Sequence, residues 1–481
     1  MSNEVFNPYL PSYEYIPDGE PYVFGDRVYV YGSHDKFNGT AYCENDYVCW
    51  SAPVDELNKW QYEGVIYQKD QDPIGENKER CLYAPDVQQG VDGRYYLYYA
   101  FDFLGVISVA VCDSPAGKYE FYGHVTYKDG DLLGSKKEDG FQFDPGVLVD
   151  DDGKVYLYTG FCPVDFPWNS LLGLEEKTIK GGMVTELEKD MVTVKSGPKY
   201  IFPDKIRGKG TNFEGHEFFE AASIRKIKDT YYFIYSSFNG HELCYATSNS
   251  PIGNFKYGGT IISNGDIYLN GRKDKDALNY TGNNHGSIVE IRGKWYVFYH
   301  RHTNKHQFSR QACAEQIQLE SDGIIRQVEM TSCGLNGEPL IGKGEYPAYI
   351  ACNLTSKSGA VRYEFGSQID ESHPFFTQEG HDRESNPNQY IANLKDGAIV
   401  GFKYFKINDV STISIKLRGT GRGTMFVSTS IGGEKISGIP ISTSENWSFY
   451  KNVIQINNGI FPLYFTYEGE GEVDFDSFIL E

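Results

Sequence analysis

Apolar residues along this chain fall mostly in short aromatic and β-branched runs that follow polar turns, and helical periodicity is almost absent. Five segments repeat one design. They are Gly25-Asp26-Arg27-Val28-Tyr29-Val30-Tyr31, Asp92-Gly93-Arg94-Tyr95-Tyr96-Leu97-Tyr98 and Asp152-Gly153-Lys154-Val155-Tyr156-Leu157-Tyr158, then Lys228-Asp229-Thr230-Tyr231-Tyr232-Phe233-Ile234 and Arg292-Gly293-Lys294-Trp295-Tyr296-Val297-Phe298. Each is a turn feeding a strand, and Asp-Gly is a strong hairpin signal. The turns recur every 60 to 75 residues or so, about the length of a four-stranded unit with its loops. Five such units predict an all-β chain whose residues 1–328 form a five-bladed β-propeller, a radial architecture that leaves few exposed sheet edges.

After Gln327 the pattern changes. Residues 329–345 are Gly-rich and predict a linker. Strand-period alternation then resumes in Ala398-Ile399-Val400-Gly401-Phe402, Ile413-Ser414-Ile415-Lys416-Leu417 and Thr424-Met425-Phe426-Val427-Ser428, and the chain closes on Val473-Asp474-Phe475-Asp476-Ser477-Phe478. Residues 346–481 therefore predict a β-sandwich of jelly-roll type.

Composition narrows the partners. Of 481 residues, 66 are acidic and 45 basic, a net charge of −21, which disfavours nucleic acid and anionic membranes because both require a basic face. The 38 Tyr and 30 Phe supply enough apolar surface to exclude disorder. The start, Met1-Ser2-Asn3-Glu4-Val5, has no basic or apolar leader region, and no apolar run reaches the roughly 18 residues that span a bilayer. Nine cysteines without a C-x-x-C pair read as buried free thiols, and a cytoplasmic location is expected.

Upstream of each repeated turn stands an ionisable residue: Asp18, Asp86, Asp144, Glu220 and His285. A lone Asp before Pro or Gly is ordinarily a turn residue. Five at matching places in five radial units would instead converge on one axial cavity, where clustered carboxyls are costly unless a proton, a metal or a substrate offsets their repulsion. Glycoside hydrolysis needs such carboxyls in opposite protonation states. Glu220, between Phe218-Phe219 and Ala221-Ala222, is the group desolvation would keep protonated as a general acid. Asp18 has a polar approach and stays ionised to activate water, while Asp144 would raise the affinity of Glu220 for its proton. Phe101, Trp168 and Phe238 follow strands and are candidate stacking faces for a sugar.

The ordered set Asn7-Pro8-Tyr9-Leu10-Pro11 with Pro17-Asp18-Gly19, Tyr83-Ala84-Pro85-Asp86, Phe143-Asp144-Pro145, Phe219-Glu220-Ala221, Asn284-His285-Gly286 and Ser309-Arg310-Gln311 resembles glycoside hydrolase family 43 over residues 7–320. The resemblance implies inversion at the anomeric centre, with Asp18 as general base, Asp144 as modulator and Glu220 as general acid. It further implies Asp86 and Arg310 as substrate contacts, His285 beside a calcium ion, and no organic cofactor. The expected activity is exo-hydrolysis releasing α-L-arabinofuranose, with β-D-xylose as a second sugar, from arabinoxylan or arabinan oligosaccharides. A β-xylosidase is the near alternative, and a non-hydrolytic sugar-binding propeller the alternative from another class. Two departures stand out: Gly19 where the family often has Pro after the base, and Ala221-Ala222 where it often has Gly-Pro after the acid. From about Asn393 onward the chain resembles a family 6 carbohydrate-binding module. There Trp447 or Phe449 is the candidate aromatic, Ile399 stands at the place of its partner, and Asp476 is a candidate calcium ligand.

Overall fold

A computed structural model describes residues 4–481 except 76–79, 103, 165–167, 172–173, 175–176, 365 and 384–387. The chain is all-β, and among the described residues the helical pieces are single turns such as Trp168–Leu171. Residues 20–317 build five sheets in sequence order, four of four strands and a fifth of three, each an antiparallel meander. The repeated turns are the hairpins between the first two strands of each sheet. Their tight reversal is why Gly25, Gly93, Gly153 and Gly293 take φ of 63–84°.

The first strands, Glu20–Phe24, Asp86–Gln89, Gly146–Val149, Phe218–Ile227 and Ser287–Ile291, lie against one another. Strand register divides their polar residues into two layers. Glu20, Asp86, Gly146, Ser223 and Ser287 occupy one level, because their pairing partners Tyr31, Tyr98, Tyr158, Ile234 and Phe298 hold the same place in the five repeats. At this level one buried network joins all five sheets. Arg225 Nη2 donates to Glu20 Oε2 at 2.7 Å, its Nη1 to the Tyr22 hydroxyl at 3.0 Å and its Nε to the Ile288 carbonyl at 3.1 Å. The Tyr22 hydroxyl donates to Asp86 Oδ1 at 2.7 Å, and Val147 N–H donates to Asp86 Oδ2 at 2.7 Å. The guanidinium supplies a donor to Glu20, and the Tyr22 hydroxyl and backbone N–H groups supply those that Asp86 needs inside the protein.

Neighbouring sheets are also tied farther out. Tyr31, Tyr98 and Tyr158 end the Tyr-x-Tyr of the first three repeats. Each hydroxyl donates to a carbonyl in the next sheet's outer hairpin, those of Pro115, Met191 and Pro251 respectively. The three-stranded fifth sheet has its outer edge covered by the chain's beginning, where the Asn7 side chain bonds both the carbonyl and the N–H of Ala314.

Residues 340–480 form two six-stranded sheets enclosing one apolar core that includes Phe402, Phe465, Phe475 and Phe478. Rings such as Phe402 and Phe478, 4.8 Å apart, add about 0.5–1.5 kcal/mol per pair beyond area burial. The end of the stretch expected as a linker is built into these sheets. Leu340–Ile341 pairs in parallel with Ile399–Ile407, and Gly344–Pro347 pairs antiparallel with Val473–Leu480. Many contacts cross to the first five sheets. Lys403 Nζ lies 2.8 Å from Asp266 and 2.9 Å from Glu329, Arg301 stacks over Phe376 at 3.9 Å, and Tyr15 donates to Gln378. Among the described residues no helix is long and apolar enough to cross a membrane.

Candidate active site

Just before the first strands begin, the chain turns sharply, and Asp18 and Asp144 both adopt left-handed backbone, φ 58° and 47°. Aspartate tolerates this conformation better than most residues. Each lies two residues ahead of the network layer, and His285 holds the same place in the fifth sheet. Glu220 reaches this level differently. A bulge spans Glu220–Ala222, with Ala221 at φ 67°, and the carboxyl comes to line the same cavity as Asp18 and Asp144. Ala221 N–H then donates to Asp144 Oδ2 at 3.0 Å. That bond needs the third and fourth sheets very close, and a Cβ on Gly146 would sit 2.4 Å from the Ala222 carbonyl oxygen.

These residues line a cavity of about 510 Å³. Asp18, Asp144, His285 and Arg310 form a buried floor. Tyr42, Tyr83, Phe141, Phe143, Phe161, Phe219 and Phe238 contribute an aromatic side, while Gly240, Gly282, Asn283, Gln307 and Arg362–Glu364 contribute a polar one.

Charge is distributed unequally over the floor. Burial pushes the Asp18 carboxyl up, but Arg310, whose Nη1 donates to Asp18 Oδ1 at 3.0 Å, outweighs burial together with His300 and His285, and holds it well below the usual carboxylate range. Arg310 is itself fixed by Asp35, to which it donates from Nε at 2.8 Å and from Nη2 at 3.0 Å. Burial and the charge of Asp18 push Glu220 up to about 8 against the pull of Arg310. Asp144 rises as well, through burial and its carboxyl neighbours Glu220 and Asp18. One carboxylate thus stays ionised while the Glu220–Asp144 pair retains protons at neutral pH, the division that acid–base catalysis needs. Burial lowers His285 to about 4, so its imidazole is neutral, with Nδ1 3.9 Å from Asp18 and 3.7 Å from Asp144.

Of the residues singled out from sequence, Asp18, Asp144, Glu220, His285, Arg310 and Phe238 meet in this cavity. Asp86 does not line it. By register it belongs one layer down, where Tyr22, Val87 and Val147 use its oxygens. Phe101 is also not a sugar platform, being 1% exposed and packed edge-on against Tyr99 in the core. Trp168 opens the short helix, and its side chain lies outside the described residues. Sequence reasoning missed Asp35, Gln307 and Arg362, which sit in loops that carry no repeat signature.

A calcium ion beside His285 would draw on Asp18 and Asp144, whose oxygens lie 3.9 and 3.7 Å from the His285 Nδ1. A hard cation takes six to eight oxygens, roughly, and since Asp18 Oδ1 accepts from Arg310 and Asp144 Oδ2 from Ala221 N–H, water would have to supply much of that shell. Elsewhere, His216, Glu242 and Cys244 bring three ligand atoms within 4.8 Å of one another. Glu242 there already accepts from His216, Ser237, Asn239 and Thr260. In the C-terminal sheets, Trp447 packs against Tyr390 with Arg418 over both rings, and Asp476 pairs with Lys416.

Residues 15–325 match the profile of glycosyl hydrolases family 43. The chain belongs to that family. As a family 43 protein it is a glycoside hydrolase, and a curated relative of the same length reinforces this: a "Xylosidase/arabinosidase" from Thermoclostridium stercorarium, 55% identical over 100% of this chain and 99% of that one. A "Beta-xylosidase" from Xylanibacter ruminicola is 28% identical over 66% of this chain and 97% of its own. Among solved structures, a GH43_1 enzyme from Xanthomonas citri shares the fold with a TM-score of 0.52 at 23% identity, covering 68% of this chain and 94% of that one.

Proposed function

We propose that this family 43 hydrolase is an inverting exo-glycosidase that releases α-L-arabinofuranose, and β-D-xylose as its second sugar, from arabinoxylan- or arabinan-derived oligosaccharides. The observation that carries this reading is that Asp18, bound by Arg310, and Glu220, which burial and Asp18 push up, face one pocket of about 510 Å³. Asp18 takes a proton from water, whose oxygen attacks the anomeric carbon from the face opposite the leaving group. Glu220 gives its proton to the glycosidic oxygen as that bond breaks, so the product carries the inverted anomeric centre. Asp144 holds the bulge that aims Glu220, and Arg310 keeps Asp18 ionised. The aromatic side suits the apolar face of a pentose. An acidic surface makes neutral sugars better ligands than polyanionic ones. The paired name of the Thermoclostridium relative supports both pentoses. No step is assigned to calcium.

The same reading takes the five meanders as blades of a five-bladed propeller, residues 1–328, and the two six-stranded sheets as a jelly-roll-like sandwich over 346–481. Supporting it are the adjacent first strands and the network through Arg225.

The test is hydrolysis of p-nitrophenyl α-L-arabinofuranoside, β-D-xyloside and α-L-arabinopyranoside, with the first-formed sugar read by NMR. Turnover of the first two with inverted product is expected. Retention, or no hydrolysis of any pentoside, would overturn the reading.

A further inference from the structure

One wall of the cavity comes from outside the five sheets. The segment 361–364 runs in from the C-terminal unit. Arg362 bridges in parallel with Thr281, Thr281 N–H donates to the Val361 carbonyl at 3.2 Å, and Tyr363 N–H returns to the Thr281 carbonyl at 2.6 Å. Tyr363 is buried, its hydroxyl donates to the Asn304 carbonyl at 2.6 Å, and its ring stacks on His302 at 5.1 Å. That anchoring fixes Arg362 at the mouth.

The guanidinium lies across Gly240, where a Cβ would come within 3.0 Å of Arg362 Nη2. A side chain at 240 would press on the guanidinium in this position. Gly240 belongs to the turn after Thr230–Ser237, the strand that pairs with the one carrying Glu220. Arg362 therefore stands on the general-acid side, where the leaving group must be. Arg362 is exposed and makes no hydrogen bond or ion pair among the described residues. It is not alone: Asn283 Oδ1 and Gln307 Nε2, on the same polar side, are buried and unpartnered. Unpaired polar atoms on a cavity wall are costly unless a ligand or water satisfies them. Asp102 and Glu364 share the mouth and disfavour an anionic ligand, which leaves the hydroxyls of a neutral sugar.

We infer that Arg362, delivered by the C-terminal unit, is a specificity-determining residue that binds hydroxyls of the sugar on the leaving-group side of the scissile bond. This rests on the proposed hydrolase reading and adds the residue that selects an oligosaccharide over a simple glycoside. The test compares Arg362→Ala with the wild type on xylobiose and on chlorophenyl β-D-xyloside, whose leaving group carries no hydroxyl. The ratio of kcat/KM for xylobiose to that for the aryl glycoside should fall about tenfold or more, the scale of one hydrogen bond from a charged group, and the loss should sit mainly in KM. Arg362→Lys should recover part of it. Equal losses on both substrates, or none, would overturn the inference. Unchanged melting of the variant separates binding from folding. If the wild type hydrolysed neither substrate, the β-D-xylose part of the proposed activity would fail first and take this inference with it.

Discussion

At the scale of single residues, neighbours decide what a carboxyl does. Asp18 and Asp144 share a backbone conformation and a level in the fold, yet Asp18 has Arg310 and Asp144 has Glu220. Left-handed backbone at both positions is local strain of the kind that functional sites retain. On the proposed mechanism the protonated form of Glu220 is the active one. Since its folded pKa lies near 8, above the ordinary 4.5, the acid persists through neutral pH and is lost as pH rises past about 8. The kcat/KM profile should therefore fall on the alkaline side near pH 8. Glu220→Gln should remove that limb and cut turnover of unactivated oligosaccharides by about 10²–10⁴-fold. An alkaline limb surviving in the variant would mean that another group is the acid.

Among elements, register governs. A shift of two residues along a first strand separates a catalytic level from a structural one, which is why Asp86 serves the Arg225 network while Asp144 serves the cavity. The Tyr-x-Tyr repeat has a corresponding role. Its last hydroxyl ties each of the first three sheets to the next, giving neighbouring sheets a directional bond that apolar packing does not supply. Tyr158→Phe would leave the Pro251 carbonyl without its donor. Unfolding free energy should drop by about 1–3 kcal/mol in a urea titration. The exposed Tyr62→Phe serves as control. Equal midpoints for the two variants would show that the sheet-to-sheet bond contributes nothing.

Over the whole molecule, the two units share buried charge. Lys403, from the C-terminal sheets, is 2% exposed and pairs with Asp266, itself 1% exposed, from the first five. Removing one partner of such a pair strands the other. Lys403→Met should cost about 3–5 kcal/mol of unfolding free energy, measured by urea denaturation, with the double variant Lys403→Met/Asp266→Leu recovering much of it. A single variant as stable as wild type would show that the pair does not hold the units together. The same interface carries Arg362 to the cavity, so the C-terminal unit takes part in shaping the pocket.

Much of this protein was legible in its sequence. Period-two alternation and five Asp-Gly-like turns determine local strands and hairpins, because both signals depend only on near neighbours. The family motifs add Asp18, Asp144, Glu220, His285 and Arg310, which the fold brings to one cavity. Tertiary structure alone decided what depends on distant partners. It put Asp86 below the site and Phe101 in the core, and it drew residues 340–347 into the C-terminal sheets. Arg362 and Gly240, more than a hundred residues apart, came together at one pocket mouth. Propensity and periodicity act over a few residues, whereas layer, burial and proton affinity are set by whatever the folded chain places alongside.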